Sequence, residues 1–220
     1  MLAKELIKDL IPPLKTSDTG LKALSWMEEF KVKHLPIVNK EDFLGLISEE
    51  DILSLNAPEE PIGNHTLSLI RPYVSEDQHI YEVIKLITKL NLSLVPVLSN
   101  REQYLGVIII PDLMEAIAIL TAVNNPGGII VLELNVNDYS LAEIAQIVES
   151  DDAKILSSYV SPHPNSTKME VTLKVNKVDL TRLLASFYRY EYNVKASYHE
   201  SEFNGDMQDR FDSFMNYLNI

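Results

Sequence analysis

The sequence predicts an α+β protein: two β-α-β-β-α repeats, then a ferredoxin-like β-α-β-β-α-β domain and a short C-terminal helix. Two stretches of the chain echo each other about sixty residues apart. Within each, apolar positions switch between helical and strand periods. A Pro-Gly-Gly break then separates them from a segment whose element order differs.

The echo is local and ordered. Leu35-Pro36-Ile37-Val38 recurs as Val95-Pro96-Val97-Leu98, sixty positions on, and Phe43-Leu44-Gly45-Leu46-Ile47 recurs as Tyr104-Leu105-Gly106-Val107-Ile108, sixty-one on. The extra residue falls between Asn39 to Asp42 and Ser99 to Gln103, where a hairpin turn tolerates insertion. Each half opens with a short apolar segment and a polar turn, Thr16-Ser17-Asp18 or Ser75-Glu76-Asp77, suited to a helix N-cap. An amphipathic helix follows, with Leu21, Leu24, Met27 and Phe30, or Ile80, Val83, Ile87 and Leu90, on one face. Two β-type runs joined by a polar turn come next, and a second helix begins at Ser48 or near Pro111. One copy cannot cover both faces of so short a sheet, so the copies should pack together.

Asn124-Asn125-Pro126-Gly127-Gly128 ends the second helix. Beyond it, Ile129 to Leu134 reads as a strand and Ser140 to Glu149 as a helix. Lys154 to Val160 and Lys168 to Val175 read as strands, Leu180 to Tyr190 as a helix and Asn193 to Tyr198 as a last strand. The boundaries expected are 1–60 and 61–123 for the repeats, 129–199 for the third domain and 200–220 for an acidic tail. That tail carries Phe211, Phe214, Met215 and Leu218 as one helical stripe, whose plainest role is docking on its own domain or a dimer mate.

Composition narrows the function. Nineteen basic against 32 acidic residues leave a net charge of −13, which disfavours nucleic acid and anionic membrane surfaces. The absence of cysteine removes disulfides, thiolate nucleophiles and sulfur-ligated zinc, and fits a cytoplasmic location. Charged residues interrupt the first apolar stretch, and no run is long enough to span a bilayer, so neither a signal peptide nor a membrane anchor is expected. The five histidines are scattered, with no pair at the i, i+4 spacing of a metal site. There is no Gly-x-Ser-x-Gly elbow and no phosphate-cradling glycine loop. A non-catalytic protein without metal or resident cofactor is expected.

The doubled unit, with Leu35-Pro36-Ile37-Val38 followed by Gly45-Leu46-Ile47-Ser48-Glu49-Glu50-Asp51, resembles a tandem pair of CBS domains (a Bateman module) over roughly residues 1 to 122. Residues 129 to 199 resemble an ACT domain, by element order and by Asn137-Asp138-Tyr139-Ser140-Leu141-Ala142-Glu143-Ile144. The whole layout resembles bacterial CBS–ACT proteins of the acetoin-utilisation B type. The resemblance implies a regulatory sensor, commonly a homodimer, that binds adenosyl ligands (AMP, ATP, adenosine or S-adenosylmethionine) in clefts between the repeats, and whose protein target the sequence does not name. In that family the glycine, two apolar residues, Ser/Thr, two variable residues and Asp form the ligand signature. Carried over, Asp51 would hold the ribose hydroxyls, Ser48 the 5′ side, and His34, Pro36 and Ile37 the adenine slot, with Thr16 completing the set. An ionised carboxylate suits a cis-diol because it accepts two hydrogen bonds. The helix starting at Ser48 would offer unpaired N–H groups to an anion. The second repeat keeps Gly106 and Asp112, but Ile109 replaces the Ser/Thr, so a site there, with Asp112 and Pro96, should be weaker. Glu49 and Glu50 would repel phosphate, so ATP fits less well than AMP, adenosine or S-adenosylmethionine, unless Lys15, Lys31 and Lys33 face the cleft.

Each motif also has a plain structural reading. Ser48-x-x-Asp51 is close to a capping box, Asp112 a first-turn acid, and His34 a half-buried edge residue. The ACT resemblance implies an effector site needing a glycine after the first strand. Ser140 stands there, and no glycine lies between Gly128 and Gly205, so a dimer-forming role is expected instead. The alternative reading of the whole chain is a structural or dimerisation protein whose CBS sites have decayed.

Overall fold

The computed structural model describes residues 1–8, 10–65, 69–164 and 166–199; the acidic tail lies outside them. Met1–Ala116 and Ile117–Ile220 form two compact units. The first contains α1 (Gly20–Phe30), β1 (His34–Asn39), β2 (Asp42–Ser48) and α2 (Glu49–Leu53), then β3 (Val74–Ser75), α3 (Ile80–Leu90), β4 (Leu94–Leu98) and β5 (Tyr104–Ile109). The helix α4 (Ile110–Leu120) follows directly.

The duplication is visible in details no periodicity announces. α1 and α3 each have 11 residues and end on a left-handed residue, Lys31 (φ 56°) and Asn91 (φ 51°), sixty positions apart. The β1–β2 ladder is irregular between Ile37 and Val38, and the β4–β5 ladder between Val97 and Leu98, again sixty on. The leading strand of each repeat is reduced. In the first it is a parallel bridge from Leu14 to Ile37, in the second the two-residue β3 alongside β4.

Both polar turns form, but the caps fall one or two residues later than the sequence suggests. Thr19 Oγ1 accepts the Lys22 N–H at 3.2 Å, while Asp18 closes the turn before it by accepting the Lys15 N–H at 2.8 Å and pairing with Lys22 at 2.7 Å. In the second repeat His79 Nδ1 accepts the Tyr81 N–H at 3.4 Å, and Asp77 pairs instead with Lys4 and Asn100. The buried stripe of α1 is Gly20, Ala23 and Met27, with Leu21 53% exposed. Small residues are selected there because α2 lies close: a Cβ on Gly20 would sit 3.0 Å from Ile52 Cγ2.

The repeats interlock by exchanging their leading segments. Ala3 N–H donates to Gln78 O at 2.8 Å and Ile80 N–H to Met1 O at 3.1 Å, which seats residues 1–6 on the start of α3. Sixty residues on, Ile62 N–H donates to Asp18 O at 2.7 Å and Gly63 N–H to Thr16 O at 2.8 Å, which seats residues 61–64 on the start of α1. Leu14, Leu35, Ile37, Phe43 and Ile47 of one repeat and Ile80, Val83, Leu94, Val97 and Ile108 of the other are fully buried.

The second unit contains β6 (Ile129–Asn135), α5 (Leu141–Ser150), β7 (Ile155–Pro162), β8 (Lys168–Val175), α6 (Thr181–Arg189) and β9 (Asn193–Tyr198). Its four-stranded sheet has the order β7-β8-β6-β9 and is antiparallel throughout, the ferredoxin-like arrangement expected. Ile144, Ile147, Val148, Leu183 and Phe187 from the two helices bury the face carrying Ile130, Leu132, Val171 and Leu173. Ser140 caps α5, its Oγ accepting the Glu143 N–H at 3.3 Å.

Candidate functional site

A cavity of about 420 Å³ opens where the first repeat meets the second. β1 and β2 supply His34, Leu46 and Ser48, α2 supplies Glu49, Glu50 and Asp51, and the C-terminal end of α3 supplies Leu90 and Asn91; Lys33 and Ile70 complete it. The volume falls within the range usual for small-molecule sites. Ile70 is held there by an antiparallel bridge to Leu46, whose N–H donates to Ile70 O at 2.9 Å. Gly45 makes that approach possible: a Cβ would stand 2.7 Å from Leu69 Cβ and 2.8 Å from Ile70 O, with φ at +155°.

Ser48 and Asp51 form a reciprocal cap on α2. Asp51 Oδ2 accepts the Ser48 N–H at 2.9 Å and the Ser48 hydroxyl at 2.7 Å, while Ser48 Oγ accepts the Asp51 N–H at 3.1 Å. The serine is thus engaged in structure. The aspartate is fixed through one oxygen, and no described residue donates to Oδ1. At this helix start two of the first three N–H groups are already engaged. α2 has only five residues, Glu49 N–H donates to Lys33 O at 3.0 Å, and Asp51 N–H is taken by Ser48.

His34 is tied to the second repeat. Ser93 N–H donates to His34 Nδ1 at 3.3 Å, which makes Nδ1 an acceptor and leaves the neutral ring's proton on Nε2. Ser93 Oγ lies 3.1 Å from the same nitrogen and accepts the Lys33 N–H at 2.9 Å. Burial holds the imidazole below the usual histidine value, against the opposing pull of Asp51 and Glu50.

Of the residues singled out in the sequence, His34, Ser48 and Asp51 therefore converge on one cavity. Pro36, Ile37 and Thr16 are not in its described lining. Ile37 is 1% exposed in the core, Pro36 pairs with Leu46 in the ladder, and Thr16 Oγ1 bonds Asn39 at 3.3 Å. Lys33 lines the cavity, and Lys15 and Lys31 do not. Ile70, Leu90, Asn91 and Ser93 were not anticipated. They belong to the other repeat or the segment before it, and of the four the sequence marked Leu90 alone, as the helix-stripe counterpart of Phe30 rather than as a cavity residue.

The second repeat is arranged otherwise. Lys8 Nζ pairs with Asp112 at 2.9 Å and Glu115 at 2.7 Å, and the Asp112 side chain is 10% exposed. The neighbouring cavity, lined by Lys8, Ile11, Pro12, Pro13 and Tyr104 to Val107, measures about 180 Å³. Pro96 is buried in β4.

In the second unit a cavity of about 440 Å³ is lined by Glu133, Asp138, Glu143, Lys168, Tyr192 and Asn193 among others. Burial, with the Glu143 carboxylate adding to it, pushes the Tyr192 phenol up to about 12, so it stays a neutral donor. His163 lies apart from this cavity, with Nε2 3.1 Å from Glu170. Among the described residues no cluster of three metal-ligating side chains occurs and no helix is long and apolar enough to cross a membrane.

The CBS domain family model matches residues 7–57 and 69–119, so the first unit carries tandem CBS domains, a class that is generally regulatory rather than catalytic. Among solved structures, the chain is similar to a CBS domain pair/ACT domain protein from Thermotoga maritima, at 22% identity and a TM-score of 0.48 over 53% of this chain and 96% of that one. It is also similar to CBSX2 in complex with AMP, at 19% identity and a TM-score of 0.44 over 53% and 95%. A third is the CBS domain of a bacterial CNNM/CorC family Mg²⁺ transporter in complex with ATP, at 14% identity and a TM-score of 0.43 over 54% and 87%.

Proposed function

We propose that the chain is a regulatory sensor that takes an adenosyl ligand in the cavity between its CBS repeats. The observation that carries this reading is the convergence of His34, Ser48 and Asp51 with Leu90 and Asn91 of the other repeat. Asp51, oriented by its bonds to Ser48, keeps Oδ1 available to a ribose diol. His34 offers its Nε2 proton, and Ile70 and Leu90 supply apolar surface for a base. Because these groups come from both repeats, a ligand that touches all of them favours one relative pose of the repeats over others. The response would pass to the second unit, read as ACT-like, or to a partner protein.

Charge selects among adenosyl ligands. Glu49, Glu50 and Asp51 face one lysine, Lys33, and two of the first three helical N–H groups, those of Glu49 and Asp51, are already used. Neutral adenosine and cationic S-adenosylmethionine fit this field, AMP less so, and ATP least. Thermal-shift measurement with the four ligands tests the reading. Stabilisation by adenosine or S-adenosylmethionine that His34→Ala weakens supports it. No stabilisation by any ligand at millimolar concentration refutes it.

The second cleft supports a different reading for its own half: Lys8 occupies the carboxylate that a ligand would use, so this half serves packing. Were the first cavity also without ligand, the chain would be a structural or dimerisation protein.

A further inference from the structure

We infer, resting on the adenosyl reading of the first cavity, that His34 selects the charge of the ligand taken there: its ring gains a proton on Nδ1 in place, and the charged form admits a phosphate monoester that the neutral form disfavours. His34 pairs with Ser48 across the β1–β2 ladder, so its side chain stands on the same sheet face as the Ser48–Asp51 cap. It lines the cavity with Lys33, Glu49, Glu50 and Asp51. Among these residue types, histidine is the one that ordinarily titrates between pH 5 and 8. Burial lowers the ring's proton affinity most, Asp51 and Glu50 raise it, and Lys33 lowers it. Glu49 is the remaining charge of the lining; Leu46, Ser48, Ile70, Leu90 and Asn91 bring none.

The Ser93 hydroxyl lets the ring change charge without moving. Ser93 Oγ lies 3.1 Å from His34 Nδ1. Opposite a neutral ring, whose Nδ1 carries a lone pair, its O–H can donate; opposite an imidazolium, the same oxygen accepts the Nδ1–H. That oxygen also accepts the Lys33 N–H at 2.9 Å, and Glu49 N–H donates to Lys33 O at 3.0 Å, so it stays positioned through the exchange. What protonation gives up is the 3.3 Å bond from Ser93 N–H. Nε2 carries its proton in both forms, so the donor offered to a ligand persists while the charge of the ring changes. The formal charge of the lining then rises from −2, three carboxylates against Lys33, to −1. A bound phosphate raises the ring's proton affinity as Asp51 and Glu50 do, so AMP and the proton bind cooperatively. A cationic ligand and the proton oppose each other.

Calorimetric titration of the full chain, His34→Gln and Ser93→Ala with AMP, adenosine and S-adenosylmethionine between about pH 5 and 8 tests this. The ratio of parent to His34→Gln affinity at each pH cancels the ligands' own titration, including the phosphate's second ionisation at about 6. For AMP that ratio should rise as pH falls, by at least about fivefold, the effect of two unit charges about 4 Å apart in water. For S-adenosylmethionine it should fall, and for adenosine it should stay level. Near pH 6, AMP should draw more protons onto the parent than onto His34→Gln, read from heats in two buffers of different ionisation enthalpy. Ser93→Ala removes the acceptor for Nδ1–H and should move the AMP effect to lower pH. Nitrogen-15 NMR without ligand gives an independent readout. The His34 ring, identified by its absence in His34→Gln, should carry its proton on Nε2 at pH 8 and titrate lower in Ser93→Ala than in the parent. Adenosine binding with level ratios for AMP and S-adenosylmethionine, or an Nδ1–H ring at pH 8, would overturn the inference and leave the adenosyl reading standing. No binding by any of the three ligands overturns that reading, and this inference with it.

Discussion

Ser48→Ala and Asp51→Ala separate the two tasks of one carboxylate. The serine substitution removes the hydroxyl that donates to Asp51 at 2.7 Å and accepts its N–H at 3.1 Å, but keeps the backbone bond from residue 48 to Asp51 at 2.9 Å. It should cost about 1 kcal/mol, the usual value of an N-cap, and lower the Tm by about 4 °C. The carboxylate stays oriented, so adenosine affinity should fall by less than about tenfold. Asp51→Ala loses a similar share of the cap and, with it, the acceptor for the diol. Each hydrogen bond to a charged group is worth about 1.5–3 kcal/mol, so two of them correspond to about 10²- to 10⁴-fold in Kd. Calorimetric titration with adenosine on both variants, alongside their ligand-free melting curves, reads the two effects independently. Equal loss of affinity in the two variants, or undiminished affinity in Asp51→Ala, would refute the division of labour.

Other consequences follow from the same geometry. His34 is held below its ordinary value, so the unfolded chain binds the extra proton first. Its contribution to stability is complete above the ordinary histidine value of about 6.5 and is lost as pH falls from there through the lowered one. Urea midpoints between pH 5 and 8 should show this decline in the parent and a flatter profile in His34→Gln; identical profiles would contradict it. Calorimetry on the parent should give one adenosine per chain, and Lys8→Ala, by freeing Asp112, should add a second, weaker event; an unchanged stoichiometry would show that Lys8 is not what closes that cleft. Gly45→Ala should destabilise the chain by about 1–3 kcal/mol and weaken ligand binding with it, because a methyl group would collide with Leu69 and with the carbonyl of Ile70, a residue that lines the cavity. A Gly45→Ala protein with parental Tm and affinity would argue against that close approach.

Much of this was legible in the sequence because it repeats. The paired hydrophobic motifs located β1, β2, β4 and β5, and the glycine-to-aspartate spacing located Ser48 and Asp51 at the start of α2. The strands and helices of the second unit followed from their periods to within a residue or two at most boundaries. What escaped was set by packing between parts distant in sequence. Leu21 looks like a core residue, yet the close approach of α2 favours Gly20 and Ala23 instead. The exchange of leading segments has no periodic signature, since residues 1–6 and 61–64 are short and irregular. Leu90 reads as the end of a core stripe, but lies 42% exposed on the rim of the cavity. The start of α2 is less open to an anion than its sequence suggests for a local reason: the capping box uses one of the N–H groups that a phosphate would need.

The most direct test is a calorimetric series on the full chain with S-adenosylmethionine, adenosine, AMP and ATP at two salt concentrations. Affinity should decrease in that order, and the interval between the first and the last should narrow as salt screens Glu49, Glu50 and Asp51. Tightest binding by ATP, or heats indistinguishable from dilution for all four, would contradict a cavity built for an uncharged or cationic adenosyl group.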